Sequence, residues 1–217
     1  GVGERLALRF GTKGAPIAIT TACATGASAI QLGVEAIQRG EAKSVIALGT
    51  DGSVQPEAVI RFSLLSALSS RNEDPTKASR PFEKSRDGFV MSEGAAALIL
   101  EDLEHARARG ATIIGLVSGC GERADNFHRT RSNPDGSSII GAMKNALADA
   151  GLQPADIGYV NAHGTSTPEN DKMEALGLHA VFGEAPPPIS SNKSMIGHTL
   201  SAAGAIEAAF SLLTLRD

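Results

Sequence analysis

Strand-like and helix-like patterns alternate along this chain from one end to the other, each change marked by Gly, Pro, Asn or Ser. Such alternation specifies an α/β architecture, in which helices cover a sheet and ligands gather at the carboxyl ends of strands. Ile17 to Thr21 reads as a short β-branched strand, and Ala27 to Arg39 as a helix with Ile30, Val34 and Ile37 on one face. Ser44 to Leu48 reads as a buried strand, followed by a helix that Pro56 opens and that runs towards Leu68. The polar stretch from Ser69 to Asp87, punctuated by Pro75 and Pro81, is expected to be a long loop of the kind that often carries function. Further strands are expected at Ala95–Leu100, Thr112–Ser118, Ile157–Ala162 and Ile189–Ser191. Further helices are expected at Leu103–Arg109, Ser138–Ala150, Glu169–Val181 and Ser201–Leu213, with an irregular stretch from Asp125 to Ser138.

Composition removes several functional classes. With 217 residues and 42% hydrophobic residues the chain has enough apolar material for a sizeable core. A formal net charge of −4 without blocks of like charge, and only 4% aromatic residues, argue against a nucleic-acid surface. No apolar run approaches the roughly 18 residues that a membrane span needs. Cys23 and Cys120 are too few and too far apart for a disulfide framework or a zinc site, which fits a reducing, cytoplasmic setting. The chain opens at Gly1 rather than Met and still reads as helix at Leu212 to Arg216, so both ends are expected to be cut. A site assembled from distant segments would then be missing a wall.

Three segments share one plan, in which a strand ends, a reactive side chain follows, a Gly comes within a few residues and a helix starts. They are Thr20 to Gly26 with Cys23, Tyr159 to Thr165 with His163, and Ser191 to His198 with Lys193 and His198. Cys23 at a helix N-terminus among small residues is a candidate nucleophile, or else a small buried hydrophobe. Cys120, in Ser118-Gly119-Cys120-Gly121, reads as the buried hydrophobe. His163 at a strand terminus can act as a base, as a neutral hydrogen-bond donor, or as an ordinary loop residue. Lys193 and Glu207, the latter set in an apolar helix, form a candidate buried ion pair. No HExxH, CxxC, GxGxxG or GxxxxGK pattern occurs, so zinc and nucleotide binding are unsupported. A thiol hydrolase using Cys23 and His163, with Asp51 or Asp171 as orienter, is one reading of these residues.

Four motifs taken together carry a family resemblance. They are Thr21-Ala22-Cys23-Ala24-Thr25-Gly26, the block Arg80-Pro81-Phe82 through Arg86-Asp87-Gly88-Phe89-Val90, Asn161-Ala162-His163-Gly164-Thr165-Ser166-Thr167-Pro168, and Asn192-Lys193-Ser194-Met195-Ile196-Gly197-His198. In this order, over essentially the whole chain, they resemble the β-ketoacyl-acyl-carrier-protein synthases of the Cys-His-His condensing class, closest to synthase II.

The resemblance implies a thiolase-like layered α/β fold, helix over sheet over helix over sheet over helix, incomplete at both ends. Residues 1–102 would be the later part of the N-terminal half, with the nucleophile, and residues 103–217 most of the C-terminal half. It implies that Cys23 takes an acyl group from an acyl carrier protein and that His163 and His198 support decarboxylative condensation with a malonyl unit. Lys193, paired with Glu207, would hold the geometry around His163. Thr165 and Thr167 would bind the pantetheine arm, Asp125 and His128 the wall of the site, and Phe62 and Leu65 the acyl chain. A monovalent cation near Asn161 and Glu207 is found in some relatives. No cofactor is required, and a cytoplasmic homodimer is implied.

The sequence departs from the family pattern at Ser66, where Arg commonly docks the carrier, and at Ile196, Ser201 and Gly49 to Gly52. A silent partner resembling the chain-length factors, a polyketide-type ketosynthase and a non-decarboxylating thiolase are the related alternatives. Silent partners typically lack the thiol that Cys23 supplies.

Overall fold

The computed structural model describes residues 1–128 and 131–216, so that Arg129 and Thr130 of the irregular stretch, and Asp217, lie outside the described residues. Two compact units are formed from interleaved stretches of chain: residues 1–52, 93–116 and 199–217 make the first, and residues 53–92 and 117–198 the second.

The first unit is organised by an antiparallel strand pair, β1 (Ser44–Asp51) and β2 (Gly94–Glu101), in register from Ser44 opposite Glu101 to Asp51 opposite Gly94. Side chains alternate along β2, so Leu98 and Leu100 are buried while Ile99 between them is 64% exposed. The buried face meets two helices, α2 (Thr25–Gln38) and α8 (Ala203–Arg216), around Ile30, Ala47, Leu98, Leu100 and Ala205. Glycine lets these helices approach. A Cβ on Gly26 of α2 would stand 2.5 Å from the Ala205 backbone nitrogen, and one on Gly204 of α8 would stand 2.6 Å from that of Ala27. Helix α1 (Val2–Phe10) and the short α4 (Leu103–Ala108) complete the unit, α4 being capped by Asp102, whose carboxylate accepts the His105 N–H.

The second unit contains α3 (Pro56–Leu64), α5 (Ser137–Ala150), the two-residue parallel pair β3 (Val160–Asn161) and β4 (Ile189–Ser190), α6 (Pro168–Phe182) and the one-turn α7 (Lys193–Ile196). The loop from Ser69 to Asp87 is present as expected, with one 3₁₀ turn at Pro75–Lys77. Asp87 closes it, accepting the hydroxyls of Ser69 and Ser70 and the Ser70 N–H.

Four expectations are corrected. Residues 17–21 and 112–118 form no strand ladder among the described residues, and Ile17, Ile113, Ile114 and Leu116 are exposed. The segment 157–162 is a strand only at Val160–Asn161. Helix α3 stops at Leu64 rather than near Leu68, because Ser66 takes a left-handed backbone (φ +52°) that a helix cannot continue through. No helix among the described residues is long and apolar enough to cross a membrane.

Candidate active site

Cys23 belongs to the first unit and stands one residue before the cap of α2, half-buried, with the α2 amide dipoles directed at it. The turn that presents it is held by Thr25, whose hydroxyl donates to the Ala22 carbonyl at 2.7 Å and accepts the Thr21 N–H at 2.9 Å. Ala22 is thereby kept at φ +51°, a conformation that costs an alanine about 1–2 kcal/mol. The sequence signal for this turn is a threonine two residues after the cysteine. Glu207 also lies in the first unit, half-buried on α8.

Asp51 lies in the first unit too, and the remaining candidates belong to the second, where three of them converge. His163 follows directly from β3, Lys193 starts α7, and His198 is fixed by backbone pairing with Val90 and Ser92. Lys193 is almost fully buried, 1% exposed, and its ammonium donates to the His163 carbonyl at 2.6 Å while lying 3.3 Å from His163 Nδ1. A donor at Nδ1 leaves the ring proton on Nε2. Burial, then the positive charges of Lys193 and His198, hold the His163 pKa well below the usual imidazole range, so the ring is neutral at neutral pH. Its Nε2 is then a neutral hydrogen-bond donor.

His198 packs edge-on to His163, ring centres 5.2 Å apart, and on its other side edge-on to Phe89 at 5.1 Å. Phe89 in turn meets Phe62 at 5.3 Å. Four rings therefore run in sequence from the α3 helix to His163, each contact in the favourable edge-to-face geometry. Leu65, expected beside Phe62, is exposed.

Two carboxylates of α6 were not anticipated in their roles. Glu174, buried, accepts the N–H groups of His163 and Gly164, each at 2.7 Å. Asp171 accepts the Phe82 N–H at 2.7 Å and the Ser166 N–H at 3.2 Å, and pairs with Arg86 at 3.2 Å. Asp171 is therefore committed to the 80–88 loop, and His163 Nδ1 faces an ammonium rather than a carboxylate, which removes Asp171 as the orienter of a hydrolase triad.

The other candidates are placed as follows. Thr165 and Thr167 share a hydroxyl hydrogen bond of 2.8 Å, and Thr167 caps α6 by accepting the Asn170 N–H. The Asn161 amide donates to Asn192 Oδ1 at 2.8 Å. Asp125 and His128 lie on an exposed stretch, where the Asn133 and Phe127 N–H groups hold the Asp125 pKa below the ordinary carboxylate value. Cys120 is half-buried and its N–H donates to Asp149.

Comparison with known proteins agrees with the resemblance. Residues 2–106 match the profile of the Beta-ketoacyl synthase, N-terminal domain, and residues 114–217 that of the Beta-ketoacyl synthase, C-terminal domain. The chain is 44% identical to 3-oxoacyl-[acyl-carrier-protein] synthase 2 of Coxiella burnetii over 98% of its length, and 45% identical to that of Staphylococcus aureus over 98%. It spans about half the length of these curated relatives, 52% and 53% respectively. A crystal structure of a β-ketoacyl synthase from Burkholderia phymatum superposes with a TM-score of 0.93 at 42% identity, covering 98% of this chain and 51% of that one. The complex of a type II PKS acyl-carrier protein with its ketosynthase bound to the hexaketide gives a TM-score of 0.94 at 37% identity, covering 97% and 52%. With the two domain profiles together matching nearly all of its residues and ketosynthase folds superposing on nearly all of it, this thiolase-like chain belongs to the β-ketoacyl synthase family.

Proposed function

We propose that this chain carries the reacting groups of a 3-oxoacyl-[acyl-carrier-protein] synthase of the synthase II type, which lengthens fatty acyl chains by decarboxylative Claisen condensation. The observation that carries the reading is the contact between Lys193 and His163, which makes a neutral Nε2–H donor rather than a general base. Such a donor suits a developing enolate oxygen.

In the first step the Cys23 thiolate, favoured at the positive end of the α2 dipole, attacks an acyl thioester on the carrier's phosphopantetheine. The acyl–sulfur bond to pantetheine breaks, its sulfur leaves and takes up a proton, and acyl-Cys23 remains. A malonyl thioester then loses carbon dioxide, and the electron pair of the broken C–C bond enters the thioester as an enolate. His163 Nε2–H and a ring N–H of His198 donate to its oxygen. The enolate carbon attacks the acyl-Cys23 carbonyl, the new C–C bond forms, and the Cys23 thiolate is released. No cofactor is consumed; both substrates arrive on carrier protein.

In this reading residues 1–102 and 103–217 are the two thiolase-like halves, a division supported by the two profile matches. Thr165 and Thr167 bind the pantetheine arm, Phe62 lines the acyl path, and Asp125 and His128 lie at the site's wall. The assembly is a cytoplasmic homodimer, which sedimentation at micromolar concentration tests.

The decisive experiment is intact mass spectrometry after incubation with an acyl-carrier thioester, then with malonyl-carrier. The acyl mass is expected on the wild type and absent from Cys23→Ala, and malonyl-carrier should remove it as 3-oxoacyl-carrier forms. A wild type that never acquires the adduct points instead to a silent partner. The superposition on a polyketide ketosynthase favours one second reading, a polyketide-type enzyme, recognised by products condensed more than once without reduction.

A further inference from the structure

Hydrogen bonds close a ring that begins and ends at His163. The Lys193 ammonium donates to the His163 carbonyl at 2.6 Å. One residue on, the Gly164 carbonyl accepts the Ser191 hydroxyl at 2.8 Å, and the same Ser191 oxygen accepts the Lys193 N–H at 3.3 Å. The Lys193 carbonyl accepts the hydroxyl of Ser79 at 2.5 Å, from a segment 114 residues away in sequence. Both polar groups of the Lys193 backbone thus meet serine hydroxyls, the carbonyl accepting the Gly197 N–H at 3.0 Å as well.

The spacing of the two loops is also set by direct contact. Gly164 has φ +39°, and a Cβ there would come within 2.5 Å of Ser191 Cβ. This matters because a lysine side chain has four rotatable bonds and loses much conformational freedom when its end is fixed. The ammonium reaches His163 Nδ1 at 3.3 Å, the outer edge of a hydrogen bond, so even a small displacement of the Lys193 backbone breaks the contact.

We propose that Ser191 and Ser79 are positioning residues for the decarboxylation step, holding Lys193 so that its ammonium locks His163 in the Nε2–H tautomer. This rests on the condensing reaction proposed above. The serines act through Lys193 and His163, and acyl transfer to Cys23 does not depend on them.

The test compares Ser79→Ala, Ser191→Ala and the double variant with wild type in the protein at its full length. Three quantities are read: acyl transfer to Cys23 by intact mass, carbon dioxide release from malonyl-carrier, and the His163 ring tautomer from ring-¹⁵N-histidine spectra, assigned with His163→Gln. Acylation is expected to stay within about twofold of wild type, while carbon dioxide release falls about fivefold in each single variant and at least about tenfold in the double. The double variant should also show His163 as a mixture of tautomers. Unchanged carbon dioxide release, or parallel loss of both activities with a lowered melting temperature, overturns the proposal. If the wild type performs neither reaction, the condensing reading fails on its own account, and an unchanged tautomer in the double variant then overturns the serine proposal independently.

Discussion

The Glu174 carboxylate reaches back from α6 to accept the peptide N–H of His163 at 2.7 Å, and its second oxygen takes the N–H of Gly164 at the same distance. The His163 imidazole is here held by its own backbone, eleven residues from the acid that holds it.

Glu174→Gln keeps one acceptor and turns the other atom into a donor aimed at an N–H, which should cost about 1–3 kcal/mol of stability. Burial raises the Glu174 pKa above the ordinary carboxylate value, against the opposing pull of the Gly164, His163 and Asn170 hydrogen bonds. Because the folded value exceeds the unfolded one, ionisation costs stability. The contribution is fully present below the unfolded glutamate pKa, about 4.3, and is lost as pH rises through the folded value. Urea unfolding from about pH 4 to pH 7 should therefore show the gap between wild type and E174Q narrowing as pH rises. A gap that widens would contradict this assignment.

Arg86 and Asp171 form an ion pair whose acid side chain is 0% exposed and whose arginine side chain is 17% exposed. Removing one partner leaves a charge in a place with little water, so Arg86→Met should cost about 3–5 kcal/mol. An R86M/D171N double variant should recover part of that loss, because no uncompensated charge remains. Chemical denaturation of the two variants beside wild type decides the matter; an R86M protein within about 1 kcal/mol of wild type would show that the pair carries little.

The crossing of α2 and α8 gives a steric test. Gly26→Ala places a methyl 2.5 Å from the Ala205 backbone nitrogen, which cannot move aside as a flexible side-chain tip would. A loss of about 1–3 kcal/mol is expected, outweighing the roughly 1 kcal/mol that alanine gains in helix propensity. Gly52→Ala meets nothing within 4 Å and should change stability by less than about 0.5 kcal/mol. Equal thermal midpoints for the two variants would remove the close helix approach as a constraint.

The candidate site residues were legible in sequence because a strand-like run, a glycine and a helix start lie close around each, a pattern written in adjacent residues, although the run before Cys23 forms no strand ladder among the described residues. His163, Lys193 and His198 come together in the second unit as that pattern requires. The supports around them were not legible. Glu174 and Asp171 sit in a helix whose composition reads as an ordinary polar face, and their partners are backbone N–H groups, which leave no trace in a list of side chains. Ser79 and Lys193 lie 114 residues apart, beyond any local spacing rule. The strands expected at 17–21 and 112–118 failed for a related reason. Apolar, β-branched residues permit an extended backbone, but a strand also needs a partner's N–H and C=O groups, and a one-dimensional pattern does not supply them.

The clasp at Asp87 divides the preceding loop into parts with different evolutionary freedom. Its carboxylate brings Ser69 and Ser70 to the loop's far end, so the stretch between them is a closed circuit rather than an open tether. Closing a longer circuit costs only slightly more entropy, about 0.6 kcal/mol for each doubling of length. Residues can be gained or lost around the 3₁₀ turn at Pro75–Lys77 at little cost, whereas the residue at position 87 holds both ends.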